Sequence, residues 1–336
     1  MNPLFHPQLV NGPLGDPTLY IDFKFAKRAI LFDLGEITSL SPRNILKISH
    51  VFISHTHMDH FIGFDHLLRI CLGRNKRIHL FGPPNFLNQL ENKVSAYTWN
   101  LVENYPYSLD LMVSEVHPDQ IITARLSSST AFKKEMNTEI KSFNGILHEE
   151  ISFLVRAVFL DHKIPCLAFV LEERSHLNIM KTELEKMGLS KGPWLRELKE
   201  AIWRGESDDF IILAHGDEKE PGEEHRFPLG TLRERLVRIT PGQKIGYIVD
   251  TIFNEKTGGA ITNLVQGVDL LFIEAAFLEE DVQRAGEKYH LTARQAGTMA
   301  GQAGAKRLIP CHVSPKYSAD SERIIEEALS TFRKTS

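Results

Sequence analysis

The chain has few cysteines, no long apolar run and no strong excess of charge, and each absence narrows the classes of protein it can belong to. It contains three cysteines in 336 residues, far apart in apolar stretches, so we expect buried reduced thiols rather than a disulfide framework. No apolar stretch approaches the length of a membrane span, and the N-terminus lacks the basic start and apolar run of a signal peptide. We therefore expect a soluble, cytoplasmic protein with no membrane partner.

Charge and short motifs exclude several kinds of site. A formal net charge of −4 argues against a generally basic nucleic-acid binder, although a local basic patch would not show in that sum. Neither a P-loop nor a dinucleotide-binding fingerprint is present. Ser54 and Ser314 lie near histidines but lack a surrounding G-x-S-x-G elbow, so a serine nucleophile is a weak alternative.

Strand-like and helix-like patterns are interspersed along the chain. Short apolar runs typical of strands occur at 29–34, 50–53, 77–81, 151–160, 166–171, 210–214, 245–249, 270–273 and 307–310. Helical patterns occur at 60–74, 84–103, 178–188, 193–204, 292–304 and 318–333. The mixture predicts a layered α/β fold with helices outside and sheet inside. We predict a single domain over 1–336, into which a charged helical arm and loop is inserted at about 172–243.

The most informative stretch is "VFISHTHMDH" at 51–60. Residues 51–53 are typical of a buried strand, and side chains alternate along extended backbone, so His55 and His57 face the same way. Asp59 and His60 stand where the next helix begins and add a second carboxylate and imidazole. Imidazole and carboxylate suit zinc and neighbouring divalent ions, and this set exceeds what one catalytic zinc needs. The motif therefore favours a centre with two metal ions.

Three more polar residues come directly after apolar runs. They are His162 in "FLDHKIPC", Asp250 in "IGYIVDT" and His312 in "RLIPCHVSPKY". Taken singly, each has a structural interpretation, as a hydrogen-bonded histidine or a turn aspartate. Taken together with the histidine-rich motif, they favour further metal ligands at strand ends.

The order of these motifs resembles the metallo-β-lactamase superfamily and, within it, the ribonuclease Z branch of tRNA 3′-processing endonucleases. The matching elements are "SHTHMDH", His162, Asp250-Thr251, Glu274-Ala275, "HLTARQA" from His290 and "HVSPKY" from His312. The resemblance spans about residues 30–318. It implies a four-layer αββα sandwich.

The resemblance also implies a ligand set. It assigns His55, His57 and His162 to one ion, Asp59, His60 and His312 to the other, and Asp250 to a bridging position. A bridging ligand should be anionic, because it offsets the repulsion of two dications about 3.5–4 Å apart. The ions expected are two zinc ions (Zn2+), with Mn2+ or Fe2+ as alternatives.

Catalytic roles follow from the same resemblance. By this resemblance, a water shared by the two ions would lose its proton near neutral pH, and the metal-bound hydroxide would be the nucleophile. Asp59 would orient it or accept its proton, and His290 would stabilise the pentacoordinate phosphorus or protonate the leaving oxygen. Glu274 would orient an imidazole, with pairing to a nearby cation as the alternative.

The expected substrate is RNA. "GLSKGP" at 188–193 is similar to the Gly-Pro element of the arm with which ribonuclease Z holds tRNA, and Lys191, Arg196 and Lys199 are the candidate RNA contacts. In contrast, the region before "DLGE" at 33–36 lacks the Pro/Arg/Asn-containing loop by which such enzymes contact the tRNA end. The function expected is a binuclear zinc-dependent phosphodiesterase or endoribonuclease of the tRNA 3′-processing type, with a tRNA precursor as partner and a homodimer as assembly.

Two alternatives stay open. The same hydrolytic centre could act on a small phosphodiester, a thioester, a lactone or a sulfate ester. A non-catalytic RNA-binding or scaffold protein on this fold is disfavoured, since every expected ligand position is filled.

Overall fold

The computed structural model describes residues 4–24, 26–215 and 224–336, and the chain divides into two compact units. Unit 1 comprises Met1–Leu147, Val155–Val170 and Lys244–Ser336. Unit 2 comprises His148–Leu154 and Leu171–Gln243. The prediction of a single domain with an inserted arm stays a prediction, and part of the predicted loop, residues 216–223, lies outside the described residues.

Strands and helices alternate along the chain. The strands are β1 (Phe5–Leu9), β2 (Leu19–Phe23), β3 (Ala29–Phe32), β4 (Ile48–Phe52), β5 (Lys76–Gly82), β6 (Leu109–Val116), β7 (Gln120–Ser127), β8 (Glu139–Ser142), β9 (Ile146–Glu149), β10 (Phe153–Asp161), β11 (Pro165–Glu173), β12 (Ser175–Ile179), β13 (Ile211–His215), β14 (Glu224–Pro228), β15 (Val237–Pro241), β16 (Lys244–Ile248), β17 (Leu270–Glu274) and β18 (Leu308–Cys311). The helices are α1 (Pro42–Ile45), α2 (Met58–Phe61), α3 (Phe64–Cys71), α4 (Phe86–Ser95), α5 (Lys181–Lys186), α6 (Trp194–Arg204), α7 (Leu229–Leu236), α8 (Glu255–Leu264), α9 (Val282–Lys288), α10 (Ala293–Gln302) and α11 (Ser321–Thr335). None of the described helices is long and apolar enough to cross a membrane.

Two sheets form the centre of unit 1. The first runs in chain order from β1 to β8, with parallel pairing from β3 to β6 and antiparallel pairing at both ends. The second has the order β18-β17-β16-β11-β10-β9, and its strands β16, β17 and β18 are parallel. Parallel strands end at the same edge of a sheet, so the residues that follow them are brought together.

The two sheets pack face to face. Phe32 of the first sheet stacks on Phe169 and Tyr247 of the second, with ring centroids 5.2 and 5.7 Å apart. Side chains alternate along a strand, so Leu31 points the other way and packs in a core with α1, α3 and α4. The second sheet packs on its outer side with α8, α10 and α11. The architecture is the predicted four-layer αββα sandwich, and the α/β prediction is confirmed.

Unit 2 has its own small core. Strand β12 pairs with β15 and β13 pairs with β14, both antiparallel. Helix α6 buries Trp194, Leu198 and Ala201 along one face at helical spacing.

The apolar runs located the strands that carry the site, since all nine predicted strands are present within a few residues. Strands β6 and β7 were missed because buried and half-exposed residues alternate along them, so they show no continuous apolar run. The helix predicted at 60–74 is two helices, α2 and α3, broken before Gly63. The amide of Gly63 donates to Leu34 O at 2.9 Å, and a Cβ at this position would lie 2.0 Å from Gly35 O, so only glycine fits.

Candidate metal centre

The candidate site lies at the carboxyl ends of strands in unit 1. Asp33, Asp250 and His312 follow β3, β16 and β18, and all three have left-handed backbone conformations, with φ of 56, 50 and 51°. Glu274 is the last residue of β17. Left-handed non-glycine residues carry strain and cluster at functional sites, where the surrounding structure holds them. The ends of these strands therefore present polar side chains from left-handed backbone positions and from the last residue of β17.

One group of candidate ligands contains His55, His57, His162 and Asp250, whose ligand atoms all lie within 4.8 Å of one another. The rings of His55 and His57 are 4.3 Å apart, as their spacing in the sequence predicts. Asp250 Oδ2 lies 3.5 Å from His55 Nε2 and 3.3 Å from His162 Nε2. The group has the donors of a divalent-metal site.

A second group contains Asp59, His60 and His312, also within 4.8 Å of one another. Asp59 Oδ2 lies 3.5 Å from His60 Nε2 and 3.4 Å from His312 Nε2. Asp250 reaches this group as well, because Oδ2 is 3.5 Å from His60 Nε2 and Oδ1 is 2.6 Å from His312 Nδ1. The structure thus brings all seven predicted ligands together, with Asp250 between the two groups.

Buried nitrogen atoms without partners indicate that the groups fit cations. Within the described part of the chain, the Nε2 atoms of His55 and His60 are fully buried and have no hydrogen-bond partner. Both side chains are 0% exposed, and an unsatisfied buried polar atom is costly. A divalent cation bound to these nitrogens would satisfy them, so the donor set suits such an ion.

Asp33, to which the sequence analysis gave no role, orients His60. Its Oδ2 accepts a hydrogen bond from His60 Nδ1 at 2.8 Å, so the lone pair of Nε2 is free for a ligand. The same carboxylate accepts from Ser54 N at 2.7 Å, Ser54 Oγ at 2.9 Å and Tyr247 OH at 3.0 Å. Asp33 directly follows a buried strand, which is the signal that identified the other site residues.

A backbone carbonyl performs the same task for His162. Its Nδ1 donates to Tyr289 O at 2.8 Å, which leaves Nε2 facing Asp250. Tyr289 has a φ of 59° and ends α9. No sequence pattern points to a backbone oxygen, so this contact could not have been predicted.

Glu274 orients His290. Its Oε2 accepts from His290 Nδ1 at 2.7 Å, while Oε1 accepts from the amides of Thr251 and Leu291 at 2.8 and 3.2 Å. Glu274 is fully buried, so this carboxylate also connects the end of β16 to the segment that carries His290. Of the two interpretations offered for Glu274, the geometry matches contact with an imidazole.

The buried charges set the protonation of the site. Burial disfavours the charged form of Asp250, but attraction to His312 and His60 outweighs it and holds the pKa of Asp250 well below its usual range. Burial lowers the pKa of His55 to about 2, so its imidazole is neutral and able to bind a metal. For His290, attraction to Glu274 outweighs burial and raises the pKa.

A cavity of about 570 Å³ opens beside the two groups. Its wall includes His57, Asp59, His162, Asp250, His290 and His312, together with residues 14–17 and residues of α9. The side chain of Asp59 is 44% exposed, so it borders the space that a substrate would enter.

The candidate RNA contacts lie in unit 2. Lys191 and Arg196 are exposed, and Arg196 Nε is 3.8 Å from Glu200 Oε1. Lys199 is half-buried, and burial lowers its pKa despite attraction to Glu173. Lys191 and Arg196 are therefore better placed than Lys199 to meet a partner in solution.

The sequence of this chain is similar to those of known proteins. A model of the β-lactamase superfamily domain matches residues 32–157 and 232–313. The chain is 30% identical over 330 residues to a ribonuclease Z of Deinococcus radiodurans, covering 96% of this chain and 95% of that protein. It is 26% identical over 306 residues to a ribonuclease Z of Nanoarchaeum equitans, covering 89% of this chain and 79% of that protein.

Solved structures show the same fold. A metallo-β-lactamase-fold protein of Bacillus subtilis, YhfI, matches with a TM-score of 0.55 at 14% identity, over 98% of this chain and 94% of that one. The short form of human tRNase Z matches with a TM-score of 0.51 at 18% identity, over 93% and 92%.

Proposed function

Because the chain belongs to the metallo-β-lactamase superfamily and to its ribonuclease Z-like branch, we propose that it is a binuclear endoribonuclease of the tRNA 3′-processing type. It is a metal-dependent hydrolase of that branch. The observation that carries the proposal is the pair of His and Asp groups that share Asp250. A shared carboxylate suits two neighbouring dications, because its negative charge offsets their repulsion.

The proposed cofactor is a pair of Zn2+ ions, with Mn2+ or Fe2+ as the alternatives that accept the same donors. His55, His57 and His162 would hold one ion, Asp59, His60 and His312 the other, and Asp250 would contact both. Bound ions of this kind polarise a phosphoryl oxygen and lower the pKa of water.

The chain's own side chains supply proton transfer and orientation. Asp59 borders the cavity with a partly exposed carboxylate, which suits it to orient the attacking water or take its proton. His290 donates a hydrogen bond from Nδ1 to Glu274, so Nε2 is the atom available to the leaving oxygen. Glu274 does not line the cavity, and we propose that it acts through His290.

A parallel assay of two substrates tests the proposal. Zinc-loaded protein should cleave a 3′-extended precursor tRNA with a much higher kcat/KM than bis(p-nitrophenyl) phosphate, because remote contacts to a large substrate contribute to transition-state binding. Cleavage of the small diester without cleavage of the RNA would contradict the endoribonuclease proposal. Thioester, lactone and sulfate-ester substrates would then be assayed.

We further propose that unit 2 contacts RNA through Lys191 and Arg196. Replacing both by alanine should weaken RNA binding and flatten its salt dependence by about 0.7 log unit for each phosphate of single-stranded RNA that the variant no longer neutralises. Cleavage of bis(p-nitrophenyl) phosphate should not change. Lys199→Ala is the matched comparison, and it should have a smaller effect on RNA because Lys199 is half-buried. Unchanged salt dependence in the double variant would exclude these two cations as RNA contacts.

Two parts of the proposal concern assembly and location. Homodimerisation is proposed from the resemblance and is tested by sedimentation of the purified protein. A cytoplasmic location is proposed because the three cysteines, Cys71, Cys166 and Cys311, are buried free thiols.

A further inference from the structure

Helix α9 places two cations beside the candidate metal centre. Arg284 and Lys288 are four residues apart, so their side chains share one face of the helix. Both line the cavity of about 570 Å³ that is also lined by Asp59, Asp250 and His290. They are exposed to whatever occupies that cavity.

Neither cation is neutralised by a direct ion pair within the part of the chain that the structure describes. The nearby carboxylates have other partners. Asp281 accepts from Lys316 Nζ at 2.6 Å, and Glu287 accepts from Gln283 at 3.2 Å. Arg284 contributes to the lowered pKa of Asp281 only through a charge interaction that is weaker than the hydrogen bond from Lys316. The positive charge on this wall is therefore available to a ligand.

The end of α9 is fixed to the site. Tyr289 O accepts from His162 Nδ1 at 2.8 Å, and the amide of His290 donates to Ala285 O at 2.9 Å. Ala285 is buried in the core of the second sheet and its helices. The helix that carries the two cations is thus held at a set distance from the candidate ligands, which reduces the entropy lost when a ligand binds.

The cavity is asymmetric in charge. Residues 14–17, which also line the cavity, contain Asp16 and no cation. Among the described residues that line the cavity, lysine and arginine occur only on α9. The space is within the size range of ligand sites, about 300–1,000 Å³, and it exceeds what one phosphate group fills.

We propose that Arg284 and Lys288 form a second phosphate subsite, which binds the phosphate next to the one that is cleaved. Arginine and lysine are the side chains that bind phosphate in proteins. The substrate class is then a strand with at least two adjacent phosphates, rather than a lone diester. This inference rests on the proposed function, because it takes the metal centre as the place of phosphodiester cleavage.

The test measures kcat/KM on two RNA oligonucleotides of the same sequence. One has the native backbone, and in the other a neutral methylphosphonate replaces the phosphate next to the scissile bond. On the native strand, the variant with Arg284→Ala and Lys288→Ala should lose about 10-fold or more in kcat/KM, the usual loss for a charged hydrogen bond. On the methylphosphonate strand, the variant and the parent should differ by less than about threefold, because the partner charge is already gone. Lys334→Ala is the matched control, since Lys334 is an exposed cation of unit 1 outside the cavity.

A second variant and a second substrate keep the outcomes distinct. Lys288→Glu should reduce cleavage of the native strand more than Lys288→Ala does. It should reduce bis(p-nitrophenyl) phosphate hydrolysis by less than it reduces cleavage of the native strand, and it should leave the metal content unchanged. Equal losses on native and methylphosphonate strands, or on the small diester, would overturn the subsite. If the parent cleaves RNA but the loss of kcat/KM in the variants is the same whether or not the neighbouring phosphate is charged, the subsite proposal is wrong and the proposed function stands. If the parent cleaves no RNA, the proposed function is wrong.

Discussion

Replacing Asp33 by asparagine should weaken metal binding, although Asp33 is not a candidate ligand. In the native protein its Oδ2 accepts the Nδ1 hydrogen of His60 at 2.8 Å. If the substituted asparagine keeps its carbonyl oxygen on Ser54 N, its amide group takes the place of Oδ2 and becomes a donor. His60 must then accept at Nδ1 and carry its hydrogen on Nε2, the atom that faces Asp59 and Asp250.

The expected magnitude follows from the burial of this contact. Asp33 and His60 are both 0% exposed, so water cannot compensate for the exchange of a carboxylate acceptor for an amide donor. Changes to groups that orient metal ligands typically cost about 10–100-fold in metal affinity. We expect a loss in that range for the ion assigned to Asp59, His60 and His312, and little change for the other ion. Loss of the carboxylate charge from this contact should also lower the free energy of unfolding by about 1.5–3 kcal/mol.

Competition with a chromophoric zinc chelator measures the affinity of the protein for each of the two zinc ions. Tyr247→Phe is the matched control. Tyr247 donates to the same Asp33 oxygen at 3.0 Å, so its removal leaves the tautomer of His60 unchanged. That variant should lose stability and keep both metal affinities within about threefold, since only one hydrogen bond to a charged group is removed. Parent-like affinity for both ions in a folded Asp33→Asn protein would refute the reasoning, as would an equal loss in Tyr247→Phe.

Three further outcomes are expected. Metal analysis of protein reconstituted with zinc should find close to two ions per chain, and a preparation saturating at one would contradict the binuclear assignment. Asp250→Ala should reduce turnover at saturating zinc more than Glu274→Gln. Asp250 contacts both ligand groups, whereas Glu274 accepts from His290 and lies 3.8 Å from one candidate ligand, His312; the reverse ranking would show that these roles are wrong. Gly63→Ala should lower the free energy of unfolding by about 1–3 kcal/mol in a denaturant titration, since the added methyl group would overlap Gly35 O. The control is Gly259→Ala in α8, which has open space around it and should be neutral or stabilising in the same titration.

The sequence determined those features that depend on neighbours along the chain. Alternation at the end of β4 places His55 and His57 on one side, and their rings are 4.3 Å apart. The polar residues after the apolar runs at 245–249 and 307–310 come together because those runs are parallel strands ending at one edge. The α/β sandwich and the family were predicted from the same local patterns, and both are confirmed. The roles of the individual ligands stay predictions.

Tertiary structure alone decided which groups support the ligands and what faces the cavity. Asp33 contacts Tyr247, 214 residues away, and His162 contacts the carbonyl of Tyr289, 127 residues away. Helix α9, which places Arg284 at the cavity, was not predicted at all. These contacts depend on how two sheets stack and how a helix end packs against a strand end. Local patterns specify which side of a strand or helix is apolar, but they do not specify which distant segment meets it, because that is settled only when the whole core packs.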